Sequence, residues 1–284
     1  MCGMNNQNSI IFAGAVLAAV LLGNITRESP SEITFEPKIE NTSLVADVKT
    51  VSYSDTIFLP SQLTAHSALV KDMAAQEPVW TLNPDQAWPT ASLAKLVTAV
   101  VAKEKIDPGQ KIKVSAEAVA TEGEAGSLKA DGVYLLEDLL KTLLILSSND
   151  AATALMEFYG ETKFIQAMNL KAQAMRMSET RFFDPSGLSA INQSNVKDLE
   201  KLIDYIIKYH PDILAITKEK KEGSTHPFVG KANFLGGKTG FIDEANGNLI
   251  SLFNNGGRTL LIIVLGSEDR AKDTQILYDY FTSH

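Results

Sequence analysis

The period of the hydrophobic positions changes along the chain, and those changes mark out its elements. From about residue 56, HSALVKDM and PVWTL read as two short strands around AAQE, a hairpin-like start. Leu93, Leu96, Val97, Val100 and Val101 then fall at i, i+3, i+4, i+7 and i+8, the stripe of a helix packed on a core, which Ile106 to Gly109 interrupts. In the middle, Leu136, Leu139, Leu140, Leu143 and Leu144 predict a helix, followed by a polar break and a second helix. TKFIQAMNLKAQAMRM and VKDLEKLIDYIIKYH predict two more, separated by the loop DPSGLSAINQSN. The C-terminal part turns to strands: FLGGKTGF, NLISLF and TLLIIVLG, the last two joined by Asn254-Asn255-Gly256-Gly257, a strong hairpin signal. EDRAKDTQILYDYF closes the chain as a helix. Strands at both ends and helices between them predict an α/β (α+β) domain, one antiparallel sheet with an inserted helical layer. No internal repeat is present.

Ahead of this domain the texture differs. The first 26 residues contain no Lys, Arg, Asp or Glu, and Ser9 to Leu22 is an unbroken apolar and small-residue run. It is short for a membrane span, which needs roughly 20 apolar residues. Its expected role is an export signal or an uncleaved anchor in residues 1–25, with a buried helix as the alternative. The segment before it carries no basic residue, and Arg27 lies on the far side, so the positive-inside rule gives no support for the orientation. Residues 26–55 are polar with scattered Pro and Ser and read as a linker. The domain is expected over 56–284. At 284 residues, with 45% hydrophobic and 21% charged residues, the chain can bury a sizeable core. A net charge of -8 without long basic runs argues against nucleic acid. One cysteine, Cys2, excludes an internal disulfide, and the four histidines stand at no metal-ligand spacing, so no metal or cofactor is expected.

Three polar clusters interrupt the apolar pattern. Ser92 and Lys95 lie three apart at a helix start and share a face. A serine hydroxyl is a poor nucleophile until a base takes its proton, and a lysine can be that base when burial or a nearby cation lowers its pKa. A capping Ser with a surface Lys would give the same pattern. Ser147-Ser148-Asn149 places two hydroxyls and an amide between two apolar helices, where a simple helix cap is the alternative. Lys238-Thr239-Gly240 sits in a glycine-rich apolar strand, which reads as a strand edge facing a cleft or as an exposed lysine that blocks aggregation.

In order, spacing and context, these clusters resemble the Ser-x-x-Lys, Ser-x-Asn and Lys-Thr-Gly signature of the serine penicillin-recognising enzymes. PDQAWPTASLAKL, LLEDLLKTLLILSSNDAATAL, RFFDPSGLSAINQSNVKDL and GGKTGFIDEANGNLIS are similar to the D-alanyl-D-alanine carboxypeptidase branch, the low-molecular-mass penicillin-binding proteins. The resemblance covers about 56–284 and implies a β-lactamase/transpeptidase-like fold. The additional C-terminal domain and anchor of some members are not expected, which leaves membrane attachment to the N-terminus. The implied roles are a Ser92 nucleophile, Lys95 as its base, Ser147 as proton relay and Asn149 as holder of Lys95 and the substrate amide. Lys238 and Thr239 would bind the terminal carboxylate of a peptidoglycan stem peptide, Gly240 would line the strand, and the N–H groups of Ser92 and Phe241 would form an oxyanion hole. Arg270 is either a carboxylate-assisting arginine or a solvated residue of the last helix. β-Lactam antibiotics would be covalent inhibitors.

Rival functions are weaker. A Ser-His-Asp hydrolase lacks its Gly-x-Ser-x-Gly elbow. A D,D-endopeptidase shares all three motifs and differs in the bond cleaved. A β-lactamase of the related class uses a Glu after the Ser-x-Asn motif, but here Glu161 and Glu179 stand in no Glu-x-x-Leu-Asn pattern. A catalytically dead cell-wall-binding module is disfavoured by the intact polar residues.

Overall fold

The computed structural model describes residues 62–123 and 126–283. The predicted signal or anchor (1–25) and linker (26–55) lie outside them, and among the described residues no helix is long and apolar enough to cross a membrane.

The expected hairpin forms as β1 (Ser67–Asp72) and β2 (Trp80–Leu82), antiparallel with Leu69 opposite Thr81. The chain then passes through β3 (Trp88–Pro89) and one 3-10 turn (Ala91–Leu93) into α1 (Ala94–Lys105). After β4 (Lys111–Lys113) and α2 (Ala116–Val119) come β5 (Val133–Leu135), α3 (Leu136–Ile145), α4 (Asn149–Tyr159) and α5 (Glu161–Ala174). β6 (Gln193–Ser194), α6 (Val196–Tyr209) and α7 (Pro211–Lys218) lead to β7 (Phe234–Ile242), β8 (Asn246–Asn255), β9 (Arg258–Ser267) and α8 (Arg270–Ser283).

The main sheet has the order β2-β1-β9-β8-β7, so strands from both ends of the domain meet at the β1–β9 pair. Both of its faces are covered, which is why TLLIIVLG reads as an unbroken apolar run instead of an alternating one. Leu261, Ile263 and Leu265 belong to the core shared with the helical layer, whereas Leu260, Ile262 and Val264 pack with Phe253 and with Leu277 of α8.

Two features go beyond the sequence pattern. The stripe Leu93, Leu96, Val97, Val100 and Val101 is buried as expected, and the other residues from Ala94 to Ala102 are buried with it, because α3, α4, α5 and α7 surround α1. An all-round apolar environment suits a central helix, and Lys95 is drawn into it. The Pro211-led helix α7 was not anticipated; Pro at the first helical position pre-sets the backbone there. It packs on β7 and α3 and so helps set the distance between the sheet edge and the helical layer.

Candidate active site

Ser92 lies in the 3-10 turn that feeds α1, so its side chain emerges where the central helix meets the sheet. The turn is fixed from two sides. Asn248 of β8 donates from Nδ2 to the carbonyls of Pro89 (2.8 Å) and Thr90 (3.1 Å), while its Oδ1 accepts from Gly266 N (3.0 Å). Trp88 Nε1 donates to Ala245 O at 2.8 Å. Ala91 is held at φ 46°, a left-handed conformation that costs a non-glycine residue of order 1–3 kcal/mol and persists only where its surroundings over-determine it.

The second fixed side is the loop after α5. Asp184 accepts from Ser186 N (2.8 Å), Ser186 Oγ (2.7 Å), Gly187 N (2.6 Å), Ser189 N (2.9 Å) and Asn192 Nδ2 (3.0 Å), closing DPSGLS into a rigid coil. Gly187 (φ +86°) then lies against the nucleophile turn, where a Cβ would stand 1.8 Å from Ala91 O. No side chain fits there, so this glycine is a requirement of close approach and of backbone conformation together.

Lys95, one turn after Ser92, is fully buried. Its Nζ lies 2.9 Å from Ser92 Oγ, 2.6 Å from Asn149 Oδ1 and 2.6 Å from Ser186 O. Burial pushes its pKa down to about 7, against an opposing pull from the Asp184 carboxylate. The coordination suits the free amine. A neutral amine has two N–H donors for the two carbonyl oxygens and one lone pair to accept the Ser92 hydroxyl proton. Asn149 is itself held by donating from Nδ2 to Glu122 O at 2.6 Å.

The helix-cap alternative for Ser147-Ser148-Asn149 holds for one residue of the three. Ser148 caps α4, accepting from Ala151 N at 3.2 Å. Ser147, at φ 60°, turns its hydroxyl to Lys238, and Asn149 turns to Lys95. Lys238 lies on the edge strand β7 but is not the exposed edge lysine that was the alternative; it is 1% exposed. Its Nζ donates to Ser147 Oγ (2.7 Å) and Thr239 O (2.9 Å). Its pKa is driven well below the lysine range by burial first, and then by the neighbouring charges of Lys95 and Arg270.

The end of β7 faces the nucleophile. A Cβ on Gly240 would stand 3.2 Å from Ser92 N, which places the Gly240–Phe241 backbone beside the Ser92 amide. Phe241 is 58% exposed at that rim. Arg270, the first residue of α8, is no freely solvated side chain: its Nη1 donates to Gly240 O at 2.5 Å. All nine expected residues, from Ser92 to Arg270, are thus brought together where the start of α1, the α3–α4 junction and the end of β7 meet.

Sequence reasoning gave no role to Ser186, Gly187, Asn248 or Thr225. Thr225 Oγ1 accepts from Thr239 Oγ1 at 2.9 Å, and Thr225 N donates to Ile145 O at 3.2 Å, so it bridges the sheet edge and the end of α3. Its neighbour His226 is buried, with Nε2 3.0 Å from Ile250 O, and burial lowers its pKa to about 3, so it is a neutral strut. FFDPSGL carried a signal through its Asp-Pro-Ser-Gly turn chemistry, but a backbone carbonyl such as Ser186 O leaves no mark in side-chain identity.

Known proteins resemble this chain in sequence and in fold. Residues 52–269 match the family model described as D-alanyl-D-alanine carboxypeptidase. A D-alanyl-D-alanine endopeptidase of Escherichia coli (strain K12) is 32% identical over 173 residues, 58% of this chain and 55% of that protein, so the chain spans about half the length of that curated relative. A D-alanyl-D-alanine carboxypeptidase of Bacillus subtilis (strain 168) is 26% identical over 246 residues, 78% of this chain and 63% of that one. The solved structure of penicillin-binding protein D2 from Listeria monocytogenes in its cefotaxime-bound form superposes with a TM-score of 0.68 at 31% identity, covering 76% of this chain and 96% of that one. With a family match over most of its length and that fold, the chain belongs to the D-alanyl-D-alanine carboxypeptidase family of penicillin-binding proteins.

Proposed function

We propose that the protein is a serine D,D-carboxypeptidase that removes the terminal D-alanine of peptidoglycan stem peptides through an acyl-enzyme on Ser92. The observation that carries this reading is the contact of Lys95 Nζ with Ser92 Oγ at 2.9 Å, on a buried lysine whose other two partners are neutral. Lys95 takes the Ser92 proton as Oγ attacks the carbonyl between the two D-alanines. The negative charge that develops on that oxygen falls to the N–H groups of Ser92 and Phe241; preorganised donors of this kind contribute roughly 3–4 kcal/mol. Ser147, polarised by Lys238, delivers a proton to the departing amine. Lys238 and Thr239, with Arg270 behind Gly240, receive the terminal carboxylate. Water then hydrolyses the acyl-enzyme.

Incubating the protein with a pentapeptide ending in D-alanyl-D-alanine and weighing the products tests the reading. Release of one alanine by wild type, absent in Ser92→Ala, is expected; an intact pentapeptide after exhaustive incubation would refute it. A second reading, D,D-endopeptidase, is favoured by the Escherichia coli relative's name and by a cavity of about 350 Å³ lined by Thr225, Phe241 and Arg270 at the end of β7, larger than a methyl side chain requires. Cleavage of a cross-linked dimer faster than of the pentapeptide would select it. Penicillin is expected to acylate the site and stay. Glu161 and Glu179 are exposed, and neither is hydrogen-bonded to Ser92, Lys95 or Asn149. We place the catalytic domain outside the cytoplasmic membrane, exported or tethered by residues 1–25 through the 26–55 linker. A C-terminal reporter active only in the cytoplasm would overturn that placement.

A further inference from the structure

A second cavity, of about 560 Å³, opens on the helical layer between α5 and the segment 176–181. Gln166, Asn169 and Gln173 line it from one face of α5, and Arg176, Thr180 and Arg181 from the other side. Both arginines are exposed, and among the described residues neither enters an ion pair. In a chain of net charge -8, two exposed guanidinium groups without ion pairs line a cavity whose other walls are side-chain amides and hydroxyls beside Leu170 and Met177; guanidinium groups suit oxyanions.

Backbone pairing links this site to the strand that precedes the nucleophile turn. Asn169 acts as a strand partner for Phe182, donating from Nδ2 to Phe182 O (2.7 Å) and accepting from Phe182 N (3.0 Å) at Oδ1. Phe182 is thereby buried, and its neighbours Arg181 and Phe183 both point outward. Arg181 pairs with Gln193, and Gln193 pairs with Pro89 in the strand that leads to Ser92. Two strand spacings of about 4.8 Å put Arg181 roughly 10 Å from Pro89. An extended peptide covers that in about three residues. Phe183, also exposed, precedes the coil that seats Gly187 against the nucleophile turn.

We infer that this cavity is an acyl-side subsite, in which Arg181 and Arg176 grip a carboxylate carried upstream of the scissile bond. The inference rests on the proposed acyl transfer at Ser92 for its direction.

Three substrates ending in D-alanyl-D-alanine test it on the full chain: a short one that ends before the subsite, an extended one with a free upstream carboxylate, and the same with a carboxamide. Wild type is expected to prefer carboxylate to carboxamide by about tenfold in kcat/KM, through KM. In the double variant Arg176→Gln/Arg181→Gln that preference disappears, while the short substrate is cleaved within about twofold of wild type. Equal loss on all three substrates would mean a structural role and overturn the subsite, as would a wild type blind to the carboxylate. A fluorescence titration with the upstream fragment alone, lacking the scissile bond, reads the subsite without catalysis. Fragment binding that is tenfold weaker in the double variant supports the subsite even where penicillin labelling of Ser92 fails and the acyl-transfer reading falls; equal binding overturns it. Inorganic phosphate separates a generic anion site from a carboxylate subsite: competition at micromolar phosphate would overturn the carboxylate assignment.

Discussion

Lys95 and Lys171 sit in the same helical layer and meet opposite fates. Lys171 of α5 donates to Glu104 (2.5 Å) and to Tyr205 Oη (3.1 Å), while His210 Nε2 lies 3.0 Å from the same carboxylate. Burial alone would lower its pKa, but its bonds to Glu104 and Tyr205, with the Glu104 charge, together raise it. Lys95 has comparable hydrogen-bond saturation, yet all its partners are neutral and its pKa falls to about 7. The Asp184 carboxylate has its lone pairs occupied by the N–H groups of its own coil and acts on Lys95 only through space. Lys95 is fully buried with no bonded anion, whereas Lys171 is half-buried and carries one, so depth of burial and the charge of the partner together decide whether a lysine becomes a base or a fixed cation. Both lysines anchor to α1, one at each end, so a single helix carries a structural ion pair at its C-terminal turn and the reactive pair at its start.

Substitutions sharpen this contrast. The largest effect is expected from Lys95→Arg, because a guanidinium cannot give up its proton at working pH. General-base catalysis contributes about 10²–10⁴-fold, so acylation by a fluorescent penicillin should slow about 10³-fold. Near-wild-type labelling would place the base elsewhere. Next in size is the pH response. A lysine with a lowered pKa is the free amine only above that value, so acylation should rise with pH through about 7 and then level. Between pH 8 and pH 5 the rate constant should fall about a hundredfold, roughly tenfold per unit below the pKa. A rate flat across that range would mean that Lys95 does not control the step. Gly187→Ala drives a Cβ into Ala91 O and should cut acylation at least tenfold while leaving the α1, α5 and α6 core intact. Full activity would show that the coil can move away. The smallest effect on chemistry is expected from Lys171→Met. Losing a charge-assisted bond costs about 2 kcal/mol, a lowering of Tm by a few degrees. The folded fraction should still acylate within about twofold of wild type, and a thousandfold loss would erase the distinction between the two lysines.

The order of elements was legible because each apolar run has a length and period of its own, and the hairpin at Gly256-Gly257 was legible because its turn chemistry is local. The three polar clusters were legible because polarity in an apolar context is costly and therefore conspicuous. What stayed hidden acts through the backbone or through distant packing. The burial of α1 on all sides depends on four other helices, and Ser186 contributes a carbonyl that any residue possesses. Thr225 is an ordinary loop threonine until β7 brings Thr239 to 2.9 Å from it. Arg270 could be read two ways because only the fold decides whether the first turn of α8 faces solvent or Gly240 O.

Intact-protein mass spectrometry after brief exposure to benzylpenicillin tests the central claim most directly. One penicilloyl adduct per wild-type chain, mapped by proteolysis to the peptide containing Ser92, persisting for minutes and absent in Ser92→Ala, is the predicted result. An adduct of equal extent on Ser92→Ala would contradict the account.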